Sequence, residues 1–140
     1  NQATPVLYKQ GNTTASTVLD YTGASISSLS LDLNNEVVSR ELVGATKSVL
    51  ITNRQPTGEV VIEAPTIASK DYFTMANDNT RGVVSVLHGS AAGSRVGLVL
   101  PICDIGNPTY SDDQGIQMLN LPFNIIPGSA GNNEIALVTM

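Results

Sequence analysis

The sequence predicts an all-β domain: a β-sandwich or strongly curved barrel of about seven to eight antiparallel strands, with one short flanking α-helix. Three observations carry this. Apolar and polar residues alternate with period two in several short stretches, Asn, Gly and Pro recur between those stretches, and only one segment has helical spacing.

Ser25 to Leu33 (SISSLSLDL) places Leu29, Leu31 and Leu33 on one face and Asp32 on the other, the pattern of a half-buried strand. Asn34 and Asn35 mark a turn. Glu36 to Leu42 is a weaker strand. Lys47 to Asn53 puts Val49 and Ile51 on one side, and Glu59 to Ala64 does the same with Val60 and Ile62. The intervening RQPTG reads as a tight connection, so these last two strands are expected to form a hairpin. The helix is expected after Ala68, with Ser69 capping its free N–H groups and Asp71 at its positive end, running to about Asn77. Tyr72, Phe73, Met75 and Ala76 give it an apolar side. Strands resume at Val83 to His88 and at Arg95 to Ile105, where Pro101 predicts an edge or a bulge. After the polar stretch Gly106 to Gly115, Ile116 to Ile126 supplies Ile116, Met118, Leu119, Leu121 and Phe123 as core candidates. Glu134 to Met140 closes the chain as a final strand. No internal repeat is present.

Composition agrees with this class. The chain has 140 residues, one domain's worth, and can bury about 68–70% of its unfolded surface. Hydrophobic residues make up 41% and charged residues 14%, so much of the polarity comes from Ser, Thr and Asn. No apolar stretch approaches membrane-spanning length and no signal-peptide pattern opens the chain, so a soluble domain with no membrane partner is expected. The start at Asn1 and the polar, turn-rich residues 1–24 are read as a segment leading from missing upstream sequence into a domain at 25–140. The net charge of −5, with seven scattered basic residues, argues against gripping a phosphate backbone. The single Cys103, in an apolar run, is expected to act as a small buried hydrophobe.

The inventory for catalysis is thin. His88 is the only histidine, no GxSxG surrounds a serine, and GSAAG at Gly89 to Gly93 has the wrong spacing. One Cys and one His cannot make a zinc site, and the residues after Asp78 lack a calcium-loop pattern. Asp112 and Asp113 read as solvated turn residues. Carboxylate pairs for glycoside hydrolysis are a matter of spatial separation, which sequence does not display. With no Trp, and Tyr8, Tyr21, Tyr72 and Tyr110 as the tyrosines, a sugar-stacking platform is not indicated. Asn12-Thr13-Thr14 matches a glycosylation sequon by pattern alone. No Gly-rich phosphate loop is present. The expectation is a protein that is not an enzyme and takes no cofactor.

The order of these elements resembles a known family. SLSLDLNNEVVSRELVGATKSVLITNRQPTGEVVIEA is similar to the core of tail tube proteins of long-tailed bacteriophages and prophages. DYFTMA resembles the family's short helix, VVSVLHG its next strand, and GNPTYSDDQGIQMLNLPFNIIPGSAGNNEIAL its closing portion. The resemblance spans Ser25 to the C-terminus and rests on order and texture. It implies a self-assembling tube domain, the C-terminal one of a tandem pair, that forms stacked rings through which phage DNA passes without specific binding. It further implies a virion location after synthesis in the bacterial cytoplasm, with tape measure and terminator proteins as further partners. Interface candidates fall in the loop Val37 to Lys47 (Val37, Arg40, Glu41, Val43, Lys47), the helix Ser69 to Asn77 (Tyr72, Phe73) and the loop Gly106 to Gly115 (Tyr110, Asp112). Lumen candidates are Asp32, Glu36 and Glu59, because an acidic lining would repel phosphates. Two alternatives stand beside this: a ligand-binding β-sandwich such as an adhesin or carbohydrate-recognition module, and another virion part such as a tail terminator or baseplate hub domain.

Overall fold

The computed structural model describes residues 6–9, 13–41, 43–44, 46–129, 131 and 133–140. Along them run β1 (Val6–Lys9), β2 (Thr13–Val18), β3 (Tyr21–Thr22), β4 (Ile26–Asp32), β5 (Asn35–Arg40), β6 (Ser48–Arg54), β7 (Thr57–Glu63), α1 (Tyr72–Asn77), β8 (Arg81–His88), β9 (Val96–Ile105), β10 (Thr109–Asp113), β11 (Ile116–Ile125) and β12 (Ala136–Thr139). The mainly β, antiparallel class with one short helix is the expected one. The strands are more numerous than the pattern predicted, because hydrophobic alternation reveals only strands that carry several apolar residues. Thr13–Val18 and Thr109–Asp113 are polar, and are strands because backbone groups on β8 and β11 pair with them.

Ten strands share one sheet, in the order β1-β4-β7-β11-β9-β8-β2-β3, with β10 added to β11 and β12 to β9. Strands β11 and β9 touch only where Phe123–Ile125 lies against Cys103–Ile105. Before that corner they diverge: β10 occupies the free flank of β11 and β12 that of β9. The sheet therefore folds over into two leaves, β1-β4-β7-β11-β10 and β12-β9-β8-β2-β3, and its hydrogen-bonded path does not close among the described residues. Leu29, Leu31, Val60, Ile62, Leu119, Leu121 and Phe123 from one leaf meet Val18, Val84, Val86, Leu100, Cys103 and Ile105 from the other in a single core. Each fully buried aliphatic among them contributes about 1.5–3 kcal/mol. Ile116, expected in this core, lies outside it and is exposed, since it precedes the point where β11 meets β7.

Residues 13–22 supply β2 and β3, with Val18 and Leu19 fully buried, so this part of the N-terminal segment is built into the body. Pro101 is accommodated as its sequence context predicts: β9 spends an extra residue there, its pairing with β8 stepping from Val84↔Leu100 to Gly82↔Cys103. On the other flank its neighbour changes from β12 to β11 across the same interval, so no ladder bond is forfeited.

Two local expectations are corrected. β6 and β7 do not form a hairpin: β6 pairs with β5, and β7 lies between β4 and β11. A two-residue hairpin turn needs positive φ, which neither Gln55 nor Pro56 adopts. Instead the Pro56 carbonyl accepts from Ile125 N–H at 3.0 Å, tying this connection to the end of β11. The helix is capped by Asp71, not Ser69. Asp71 Oδ1 accepts from the N–H groups of Phe73 and Thr74, both at 3.0 Å, and Thr74 Oγ1 donates to Oδ2 at 2.7 Å. Those bonds, Thr74's first, hold the Asp71 carboxyl below its ordinary range. Ser69 meets Thr66 in the preceding turn.

Candidate assembly interface

The residues expected at an interface fall on two separate parts of the surface. The first is a projecting arm, the two-stranded sheet β5–β6. Register pairs Val37 with Ile51 and Ser39 with Val49 on one face, and Val38 with Leu50 on the other. Apolar side chains thus occupy both faces, and Val37, Val49 and Ile51 are 59%, 65% and 63% exposed. A lone two-stranded ribbon is marginal in water, and an apolar surface of this kind marks a contact site. At the tip, Val43 is fully exposed and Lys47 pairs with Glu41. Both partners of that pair are solvated, so it adds little stability. Arg40 is exposed nearby.

The base of the arm is held firmly. Asn34, with φ of 45°, donates its backbone N–H to Asp32 Oδ1 at 2.9 Å and its Nδ2 to Gln55 O at 3.1 Å and Thr57 Oγ1 at 3.0 Å. It clasps both chain crossings, which is why a left-handed residue stands there. Arg54 Nη2 lies 2.5 Å from Glu134 Oε1, tying the last residue of β6 to the segment entering β12. Glu134 is only 8% exposed, and its own backbone N–H together with Arg54 keeps its carboxyl below the ordinary range.

The second part is formed by α1 and the turn from β9 to β10. Phe73 and Tyr110 are partly exposed, and their rings lie 5.3 Å apart, tilted by 39°. Beside them is a depression of about 400 Å³ lined by Phe73, Ala76, Ile105 and Pro108, among others. Asp112 is exposed on β10 and accepts from Gly115 N–H at 3.3 Å. Tyr72, expected at an interface, is corrected to the core. It is 1% exposed, its hydroxyl donates to Val18 O at 2.9 Å, and burial raises its pKa. Helical spacing turns it inward with Met75 and leaves Phe73 outward.

Of the lumen candidates, Asp32 and Glu59 share the outer face of β4-β7-β11. Ser30 pairs with Glu59 and Asp32 with Thr57, opposite the inward Leu29 and Leu31. With Pro122 and Asn124 they line a shallow depression of about 360 Å³ that contains no basic residue. Glu36 is not on this face; it belongs to the arm, paired with Asn53.

Among the described residues no three His, Cys, Asp or Glu side chains gather as a metal site. His88 is exposed at the end of β8. Cys103 is fully buried, its Sγ 3.7 Å from Leu100 O, and burial pushes its thiol up to about 12, away from nucleophilic character. No helix of the described residues is long and apolar enough to cross a membrane. Sequence reasoning missed the arm as a separate sheet and expected Val49 and Ile51 on one side of a strand that pairs with β7. The available signal was Pro56, which disfavours the hairpin that would have placed them there. No family model matches this chain, and a search of curated proteins finds no significant match.

Proposed function

We propose that this chain is a structural subunit that works by assembling with copies of itself, as a tail tube protein of the kind its sequence resembles. One observation carries the proposal: the β5–β6 arm exposes aliphatic side chains on both faces while its base is locked by Asn34 and by the Arg54–Glu134 pair. A rigidly mounted apolar arm is costly to leave in water and useful only when covered. The acidic outer face of β4-β7-β11 supports the conduit part of the reading, since Asp32 and Glu59 without a basic neighbour in their depression would repel a passing phosphate backbone. In this role the subunit lies in a virion tail, contacts tape measure and terminator proteins, and performs no catalysis.

The test is mass in solution against concentration by light scattering, followed by negative-stain imaging. Rings or tubes with a central hole are expected. A strict monomer at millimolar concentration overturns the reading and returns attention to ligand recognition by a monomeric sandwich.

A further inference from the structure

We infer that β5 of one copy pairs antiparallel with β5 of a second copy, joining the two arms edge to edge about a twofold axis at Val38. This rests on the self-assembly reading above and names the surface through which two copies meet. Strand β5 is hydrogen-bonded only to β6, so its other edge is open among the described residues. A second copy there turns a marginal two-stranded ribbon into a four-stranded sheet.

Charge commits the edge to this occupant. Residues 33–54 hold five charged side chains, of which Arg54 is taken by Glu134 and Lys47 by Glu41. Glu36 and Arg40 remain, both exposed and in no ion pair among the described residues. They flank Val38 at two residues on either side and share its face, because the extra residue in the β5–β6 register, Thr52, sits on β6 and leaves the alternation of β5 intact. A half-turn about Val38 sets Glu36 opposite the partner's Arg40, and Arg40 opposite the partner's Glu36. A slip of two residues in either direction sets Glu36 or Arg40 against Val38 and loses both pairs, so the register is specified. The outer edge of β6 has no such match, since its one charged residue, Arg54, is already paired.

The apolar residues fall into line in the same register. Leu50 lies opposite Val38 within the arm, so Leu50, Val38, the partner's Val38 and the partner's Leu50 form one row across the four strands, bounded on each side by an ion pair. In a single copy Val38 and Leu50 are 41% and 45% exposed. Val37, Val49 and Ile51 of both copies share the opposite face, which stays open to the larger assembly proposed above.

The test uses Glu36→Lys and Arg40→Glu as single variants, their equal mixture, and a chain carrying Glu36→Arg with Arg40→Glu, each followed by light scattering against concentration at low salt. Either single variant sets like charges opposite each other twice, and is expected to need about tenfold higher concentration to pair than the unmodified chain. The mixture and the exchanged chain both restore acid against base at each position, and are expected to regain the unmodified affinity. If a single variant pairs as tightly as the unmodified chain, or the mixture pairs no better than its components, the inference is overturned while self-assembly through another contact stands. An unmodified chain that stays monomeric at millimolar concentration overturns the function reading as well. A pair with nothing larger sustains the inference and removes the tube from that reading.

Discussion

Two isoleucines, eleven residues apart in sequence, separate what holds the body together from what the arm does. Ile62 is 0% exposed in the shared core, and Ile51 is 63% exposed on the arm. Ile62→Ala deletes buried carbons and leaves a cavity, costing about 2–5 kcal/mol. At about 3–5 °C per kcal/mol for a domain of this size, Tm falls by about 6–25 °C. Ile51→Ala removes the same atoms, of which only about a third of the surface is withdrawn from water, so at about 0.8 kcal/mol per buried methylene the loss stays under about 1 kcal/mol. The assay is a thermal melt followed by far-UV circular dichroism at a concentration where the chain is monomeric. A second measurement, light scattering at high concentration, should show the reverse order, with assembly lost in Ile51→Ala and retained in Ile62→Ala below its Tm. Equal destabilisation by the two changes would refute the reasoning, because it would place Ile51 in a packed interior.

Three further outcomes follow from particular contacts. A Cβ at Gly58 would lie 2.5 Å from Phe123 Cζ, directly across the β7–β11 pairing, so Gly58→Ala should cost about 1–3 kcal/mol, read from the urea midpoint. Glu134, whose pKa is depressed in the folded state, contributes stability above its unfolded pKa that is lost as pH falls through the lower folded value. Glu134→Gln should remove that part of the acid slope in denaturation measured between about pH 5 and pH 2, and an unchanged slope would mean that in solution the carboxyl is held neither by its own backbone N–H nor by Arg54. Cys103 should resist thiol reagents at pH 8 in the native state and react promptly in denaturant, whereas rapid native labelling would contradict its burial.

The strands with one apolar face were legible in the sequence because burial of a sheet face imposes period two on side chains. Leu29 and Leu31, Val60 and Ile62, and Leu119, Leu121 and Phe123 announce themselves this way, and all enter the core. Pro101 was legible too, since a residue without an N–H must fall where a ladder can spare it. The site candidates were read less well. Phe73 and Tyr110, and the arm residues Val37 and Val43, are at the surface, but Tyr72 is not, and Glu36 is separated from Asp32 and Glu59.

What the sequence determined by itself was local: the β class, the helix position, the turn residues and the acidic balance, all consequences of propensity, periodicity and charge that each residue carries wherever it goes. What only the tertiary structure decided was pairing. The alternation in Val49 and Ile51 is the same whether β6 lies in a core or stands in solvent, because a strand's pattern marks two faces without saying what covers them. That depends on hydrogen bonds between segments far apart in the chain, such as Arg54 to Glu134 and β7 to β11, and on the clasp at Asn34 that turns the arm away from the body.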